Sequence, residues 1–469
     1  MLTLNLYQGA VVLRLEGGSA EASGVDHGQT VPEADAAYPR RVPPSGNLRR
    51  ELGVGGAVLL GLGSIVGTGI FVGTGIAAEV AGPSLVLAIG LAGLLATLNG
   101  LSSAQLAASH PTSGGTYEYG YEYLTPALGF TAGWMFLAAK SASAATAALG
   151  FAGYLERLTG IGGGGVMVAL AAIVAITALV SLGIRRSSIA NAAIVSVTLL
   201  GLLWFALAGS FEIDAARFTP FLGGGVAGLL EATALMFVAY TGYGRIATLG
   251  EEVHHPAKTI PRAIIVTLVA TVALYLAVTA TGIGAAGADG LADATGGTAA
   301  PLEAVARGFP GGDATARAVS VAAVTALLAV LLNLVLGLSR VVLAMGRRGD
   351  LPRAVARVDE SGTTPFVAVP LVGLIIAGLA AFGSVKTTWT FSAFTVLVYY
   401  ALTNLAAIRL PSGARRYPVA LAWMGLAGCL GLAFWVDVAA WAAGLGVIAV
   451  GLAWHAIAAR VRSNDNPAS

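Results

Sequence analysis

Four glycines lie close together in a long apolar stretch near the start of the chain. Residues 53–75 read GVGGAVLLGLGSIVGTGIFVGTG, with Gly61, Gly63, Gly67 and Gly69 near the middle. Each glycine weakens a helix by about 1 kcal/mol relative to alanine, so we expect an interrupted helix here. Inside a bilayer, the peptide groups bared by an interruption are costly unless protein, water or a ligand satisfies them. The cluster therefore predicts backbone that binds a small solute or ion.

A second glycine pair has the same character. Residues 237–252 read FVAYTGYGRIATLGEE and carry Gly242 and Gly244 in mid-segment. The alternative for the first cluster is close helix packing, because Gly63 and Gly67 form a G-x-x-x-G pair. A phosphate-binding loop is excluded, since no Gly-Lys-Ser/Thr follows the glycines. Two interruptions favour binding over packing.

Composition sets the class of protein. The chain of 469 residues is 56% hydrophobic and 11% charged, which is too apolar for a soluble protein of this length. The net charge of +2 gives no sign of nucleic-acid binding. The single cysteine, Cys429, excludes an internal disulfide framework and a cysteine-based metal site. We interpret Cys429 as a packing residue and predict no metal site and no cofactor.

Hydropathy predicts an all-α membrane protein with twelve spans. The expected spans are 53–78, 84–108, 126–155, 165–184, 189–210, 226–250, 261–285, 318–346, 366–385, 387–409, 419–436 and 438–458. The glycine clusters fall in spans 1 and 6, and an offset of five spans reverses the direction of crossing. This spacing predicts two inverted five-helix repeats, spans 1–5 and 6–10, with two additional helices.

The basic residues predict the orientation. With the N-terminus inside, the cytoplasmic loops and C-terminal end carry 13 lysines and arginines and the outer loops carry 5. Residues 1–48 are polar and aperiodic, so we expect a disordered cytoplasmic tail. The transporter-like membrane domain is placed at 49–462 and a cytoplasmic C-terminal tail at 463–469. Segment 286–317 is predicted to be an outer loop with a short helix near 301–308, and the tyrosine-rich segment 109–125 to lie along the cytoplasmic interface.

Three sequence stretches resemble one transporter family. They are GSIVGTGIF at 63–71 followed by AGPS at 81–84, the segment 237–264, and GLSRVVLAMGRRGDLPRAVARV at 337–358. In order and spacing they resemble the amino acid–polyamine–organocation permeases, close to the bacterial and archaeal members that are similar to cationic amino acid transporters. The resemblance implies a central site between interrupted helices 1 and 6.

The resemblance also implies which residues hold a zwitterionic amino acid. Where helix 1 restarts, free N–H groups and the helix dipole suit a carboxylate. At the interruption of helix 6, carbonyl groups suit an ammonium. The implied substrate-binding residues are Ser64, Val66, Gly67, Thr68, Gly69, Phe237, Val238, Tyr240 and Gly242. Close packing remains the alternative for the aromatic residues. Many relatives carry an acidic residue where this chain has Gly244, which favours neutral over cationic amino acids.

Five residues are candidates for gates. Phe237 is expected to close the site from outside, and Tyr243 lies beside the same interruption. Arg340 in span 8 is expected to pair with Glu251 or Glu252 as an inner gate. His254 and His255 follow these glutamates, and we expect them to be solvated and not to bind a metal.

Coupling to an ion has two candidate mechanisms. Some proton-coupled relatives carry a lysine in helix 5, but the matching position here is Thr198, so that proton switch is in doubt. Lys140 lies within span 3, where a lysine costs about 3 kcal/mol and should face the bundle interior. It is the candidate proton carrier or tethered cation, with a purely structural pairing as the alternative. A sodium site would use carbonyls of Gly63 and Val66 with Ser339 or Asn333.

The sequence thus predicts a secondary amino acid transporter of the cell membrane that works by alternating access and is proton-coupled. Sodium symport and exchange of amino acids or polyamines remain open. A substrate sensor or subunit with this fold is the alternative of another class. No H-E-x-x-H motif or paired membrane aspartates are present, which argues against an enzyme. The expected partners are an amino acid, a coupling ion and the lipid bilayer, and no nucleic acid; the oligomeric state is open.

Overall fold

The structure is a computed structural model, and its secondary structure consists of helices and connecting turns throughout the part of the chain that it describes. The described residues are 52–110, 114–160, 162–183, 188–247, 249, 253–359 and 364–465. The predicted N-terminal tail, and Glu251 and Glu252, lie outside the described residues.

Sixteen α-helices are present in these described ranges. In chain order they are α1 Val54–Ile65, α2 Thr74–Ala81, α3 Leu85–Ser109, α4 Thr116–Tyr123, α5 Pro126–Thr159, α6 Gly165–Ser181, α7 Ser188–Gly209, α8 Gly225–Tyr240, α9 Gly244–Ala247, α10 Pro256–Thr298, α11 Pro301–Ala306, α12 Gly312–Arg348, α13 Ala368–Phe382, α14 Val385–Arg409, α15 Val419–Ala433 and α16 Val438–Asp465.

The apolar helices agree with a multi-pass membrane protein. Among the described residues, eight helical stretches are long and apolar enough to cross a bilayer, and one of them, Val54–Ser109, covers the first two predicted spans except for residue 53. Helices α6, α13 and α15 are apolar but shorter, with 17, 15 and 15 residues. The all-helical membrane class is confirmed, while the count of twelve spans stays a prediction.

Both glycine-rich segments are interrupted, but to different extents. Helix α1 ends at Ile65, Val66 is extended (φ −77°, ψ 103°), and the chain restarts as a π-helical turn over Gly69–Gly73 that leads into α2. Span 6 tightens into a 3₁₀ turn over Thr241–Tyr243 between α8 and α9. The first interruption opens the backbone, whereas the second only changes the winding of the helix.

The prediction that 286–317 is mostly a loop is wrong, whereas the short helix expected near 301–308 is confirmed by α11. Helix α10 continues to Thr298 across a bend at Gly287, whose φ is 76°, and α11 and the first turn of α12 occupy most of the remainder. The segment is poor in large apolar residues, so hydropathy missed it. Its alanines nevertheless favour a helix strongly. The tyrosine-rich segment after α3 likewise contains a helix, α4, over Thr116–Tyr123.

The long helix α5 is central to the packing, since it lies against both α12 and α14. It begins at Pro126 after Thr125, whose side chain accepts the N–H of Leu128, and ends at Gly160 in the left-handed conformation (φ 72°). These are typical start and stop signals of a helix. Many of its buried positions are alanine, glycine or serine, which lets neighbouring helices approach closely.

A buried carboxylate lies beyond the end of α12. Asp350 is fully buried, and one of its carboxylate oxygens accepts the hydroxyls of Tyr117 and Tyr121 at 2.7 and 2.6 Å. Burial raises the pKa of Tyr117 above its usual range, and the bond to Asp350 adds to this. The phenol therefore stays a donor at neutral pH. Arg348 covers both tyrosine rings and pairs with Glu118.

Replacement of Asp350 by alanine should lower the stability of the protein by about 2–4 kcal/mol, because two buried hydroxyls lose their acceptor. The thermal unfolding midpoint of the purified protein in detergent is the measurement. The matched control is Asp313→Ala, since the Asp313 side chain is 79% exposed. Equal midpoints for the two variants would contradict the structural role of Asp350.

Candidate functional site

The restart of helix 1 leaves polar groups without partners. The backbone N–H groups of Gly67 and Thr68 donate no hydrogen bond within the described residues, and the Gly67 carbonyl accepts those of Ile70 and Phe71, both at 3.1 Å. The Thr68 side chain is buried at 5% exposure, and among the described residues its hydroxyl has no hydrogen-bond partner. A buried polar group in that state costs about 1–3 kcal/mol. This turn therefore presents donors that suit an anionic group.

The two interruptions touch each other directly. A Cβ atom built on Gly242 would lie 2.1 Å from the carbonyl oxygen of Ser64. A Cβ atom built on Gly69 would lie 2.2 Å from the Cβ of Ala239. Only glycine permits these two approaches. The predicted substrate-binding segments of spans 1 and 6 are thus brought together, in a closed arrangement.

Tyrosine hydroxyls satisfy several of the carbonyls that the interruptions expose. Tyr275 of α10 donates its hydroxyl to the carbonyl of Ile65, the last residue of α1, at 3.0 Å. Tyr154 of α5 donates to the Phe71 carbonyl at 2.8 Å, and Tyr400 of α14 donates to the Thr241 carbonyl at 3.1 Å. Neighbouring helices therefore stabilise the irregular backbone, as an interrupted membrane helix requires.

Lys140 reaches the interruption of span 6. Its ammonium donates to the hydroxyl of Thr241 at 2.7 Å, and that hydroxyl donates to the carbonyl of Val238 at 2.8 Å. The Val238 carbonyl also accepts the backbone N–H of Thr241. Both donors come from Thr241, so the Val238 carbonyl can accept a further donor only after this turn loosens.

The predicted aromatic residues are all buried beside this turn. The Phe237 ring stands edge-on to Tyr400, with ring centres 5.5 Å apart, and the Tyr243 ring lies tilted against Tyr400 at the same separation. Tyr240 donates to the Ile89 carbonyl of α3 at 3.2 Å. The Tyr240 hydroxyl thus links α8 to α3, while Phe237 and Tyr243 both pack against Tyr400 of α14.

Thr198 lies in a crevice beside the interruption of helix 1. The crevice is too narrow for a water molecule, and Gly63, Val66 and Ala329 also line it. Thr198 donates its hydroxyl to the Ile194 carbonyl one turn earlier at 2.8 Å and carries the single polar side chain among the lining residues. Ser339, proposed for a sodium site, lies ten residues beyond Ala329 on α12, roughly 15 Å along the helix axis. Its hydroxyl bonds the Leu336 carbonyl at 3.0 Å.

The structure describes only one partner of the predicted inner gate. Arg340 lies on α12 with its side chain exposed. Its expected partners, Glu251 and Glu252, lie outside the described residues. The pairing therefore stays a prediction.

Sequence reasoning missed the residues that hold the interruptions in place. Thr241 lies within segment 237–252 and joins Lys140 to the turn, whereas the sequence indicates its neighbours Tyr240 and Gly242 as binding residues. Trp389 of α14 covers Gly73, and among the described residues its buried indole N–H has no partner. The tyrosines that donate to the exposed carbonyls do have a signal in the sequence. A tyrosine inside an apolar span needs a partner for its buried hydroxyl.

Interrupted helices that meet in the interior of an all-helical membrane protein are the arrangement of a solute transporter. The comparisons with known proteins agree. The amino acid permease family model matches residues 56–465. The chain belongs to that family, within the amino acid–polyamine–organocation superfamily.

Relatives of the chain are transporters. An uncharacterized transporter of Mycobacterium tuberculosis is 41% identical over 434 residues, which cover 91% of this chain and 96% of the relative. The methylthioribose transporter of Bacillus subtilis is 33% identical over 75% of this chain and 80% of its own length. A branched-chain amino acid permease of the same species is 28% identical over 71% and 75%. The family and these relatives are transporters and not enzymes.

Proposed function

We propose that this protein is a secondary transporter that carries a neutral amino acid across the cytoplasmic membrane by alternating access. The observation that carries the proposal is the buried, unpartnered Thr68 hydroxyl beside the free N–H groups of the helix 1 restart. These donors suit a carboxylate, and the carbonyls of Phe237, Val238 and Tyr240 in span 6 suit an ammonium. Both termini are proposed to be cytoplasmic.

Charge near the site favours neutral substrates. The Lys140 ammonium lies at the interruption of span 6, and Gly244 carries no carboxylate to offset it. A zwitterion brings a carboxylate that offsets its ammonium, whereas a cationic side chain would add a further like charge near Lys140 in a poorly screened environment. The branched-chain amino acid permease among the relatives agrees with this choice.

We expect purified protein in proteoliposomes to take up labelled leucine or valine at least about tenfold faster than arginine or lysine, since about 1.4 kcal/mol of discrimination gives that ratio. Imposed proton and sodium gradients, applied separately, test the coupling ion. Proton symport is proposed, with sodium symport and exchange as the competing outcomes. Binding of an amino acid with no uptake or exchange in either direction would favour a sensor.

A second candidate substrate is a neutral sugar derivative. The methylthioribose transporter is a relative at 33% identity over three quarters of this chain. Unlabelled methylthioribose should fail to compete with labelled leucine if the carboxylate and ammonium contacts define the site. Strong competition by methylthioribose, without competition by amino acids, would replace the amino acid proposal.

Replacement of Thr68 by valine keeps the volume of the side chain and removes its hydroxyl. We expect the KM for the amino acid to rise about tenfold or more, because a hydrogen bond to a charged group contributes about 1.5–3 kcal/mol. The unfolding midpoint of the substrate-free protein should be equal or higher, since the lost hydroxyl had no partner. A normal KM would contradict the hydroxyl contact. A lowered midpoint would show that the hydroxyl is structural.

A further inference from the structure

A cavity large enough for several water molecules lies among charged residues where α5 ends and α11 and α12 begin, on the side predicted to be outside. Its volume is about 210 Å³, and its charged and hydroxyl lining residues include Arg157, Glu303, Arg307, Asp313, Arg317 and Ser320. It is separate from the interruptions of spans 1 and 6. Neither the family nor the relatives' names assign it a role.

The carboxylates of the cavity already have cationic partners. Glu303 is buried at 1% exposure and lies 2.6 Å from a terminal nitrogen of Arg307 and 3.5 Å from Nε of Arg157. The second terminal nitrogen of Arg307 lies 3.2 Å from Asp313. Both terminal nitrogens of Arg307 are therefore paired with carboxylates, whereas the terminal nitrogens of Arg157 take no part in its contact with Glu303.

Arg317 is the surplus charge. Within the described residues it takes part in no ion pair, and three arginines face two carboxylates around the cavity. Ser320 follows three positions later on α12 and so lies on the same face of the helix. A guanidinium with a neighbouring hydroxyl offers hydrogen bonds that match an oxyanion.

We propose that this cavity binds a small oxyanion of the phosphate or carboxylate type, held by Arg317, the terminal nitrogens of Arg157 and the Ser320 hydroxyl. Such a group arises either from a free anion or from the headgroup of an anionic lipid. The net positive charge of the lining favours an anion over a cation. The 2.6 Å ion pair with Glu303 holds Arg307 in place, and Arg157 lies 3.5 Å from the same carboxylate, so part of the ordering precedes binding.

A chain of hydrogen bonds links the wall of the cavity to the restart of helix 1. The N–H of Leu302, next to Glu303, donates to the Tyr154 hydroxyl at 3.2 Å, and that hydroxyl donates to the Phe71 carbonyl just after the interruption of helix 1. An occupied cavity fixes α11 and, through Tyr154, the restart of helix 1. We therefore expect the anion to change the rate of transport as well as the stability.

The first test is thermal unfolding of the purified protein in detergent, with phosphate titrated to about 20 mM against chloride at constant ionic strength, so that screening is unchanged. We expect a saturable rise of a few degrees in the unfolding midpoint. The phosphate concentration that gives half of this rise should be about tenfold higher in Arg317→Gln and unchanged in Arg353→Gln, which replaces an exposed arginine elsewhere. If free phosphate has no effect, nanodiscs with and without phosphatidylglycerol are compared. A phosphatidylglycerol effect lost in Arg317→Gln assigns a lipid headgroup. No effect of either, or an equal effect in Arg317→Gln, overturns the proposal.

The second test rests on the proposed transport function, whereas the first does not. Phosphate should change the initial rate of amino acid uptake in the wild type and leave Arg317→Gln at its basal rate. Tyr154→Phe should keep the rise in unfolding midpoint but lose the effect on rate. A rate effect that survives in Tyr154→Phe would contradict the connection to helix 1, with the anion site itself still standing.

Discussion

Lys140→Met is expected to abolish proton-driven accumulation of the amino acid while exchange of internal for external amino acid continues. The ammonium of Lys140 holds the Thr241 hydroxyl, which in turn bonds the Val238 carbonyl at the interruption of span 6. A proton gained or lost at this nitrogen would change that chain of bonds and hence the turn that forms half of the proposed substrate site. Methionine has a similar length, carries no proton and tolerates burial.

The measurement compares accumulation driven by an imposed pH gradient with counterflow exchange in the same proteoliposomes. Lys258→Met is the matched control, because Lys258 is exposed at the start of α10. If accumulation and its pH profile are unchanged in Lys140→Met, the coupling role is wrong. If exchange is lost together with accumulation, Lys140 belongs to substrate binding and not to coupling.

Gly242→Ala should abolish transport and destabilise the protein. The added methyl would lie 2.1 Å from the Ser64 carbonyl oxygen and 2.4 Å from its carbonyl carbon, both backbone atoms that no side-chain rotation can move. Helix 1 must then move away from span 6. Overpacking of this kind costs about 1–3 kcal/mol, and it displaces the two halves of the proposed site relative to each other.

Uptake and the unfolding midpoint test this expectation together. Gly378→Ala in α13 is the control, because nothing lies within 4 Å of the added methyl there. That control should be up to about 1 kcal/mol more stable, since alanine favours a helix over glycine. Normal uptake by Gly242→Ala would show that the two interruptions do not need to touch.

The positions of the interruptions could be predicted from the sequence, because glycine clusters report directly on helix weakness. The opened backbone at Val66 does lie among the predicted glycines, between Gly63 and Gly67, and Lys140 does reach the interior, as the cost of a buried charge requires. The different extents of opening could not be predicted. Tyrosines from α5, α10 and α14 satisfy the exposed carbonyls, and those contacts are set by tertiary packing.

Hydropathy misled at one place for a physical reason. Small residues after Gly287 lower the apolar signal without lowering helix propensity, so a helical segment was interpreted as a loop. The same segment carries Glu303, whose contact with Arg157 depends on where α5 ends. Charged residues in a supposed loop gave no indication of burial. The sequence therefore could not predict the cavity beside them.

The central claim, that an amino acid binds at the restart of helix 1 against span 6, is tested most directly by substrate protection. The single native cysteine, Cys429, is buried, so Thr68→Cys in a Cys429→Ala background offers one reactive thiol at the proposed site. Labelling by a small thiol reagent is measured with and without transported amino acid at about ten times the variant's own KM, where the site is about 90% occupied. The account predicts that labelling slows about tenfold. Equal labelling rates in a variant that still transports would contradict it.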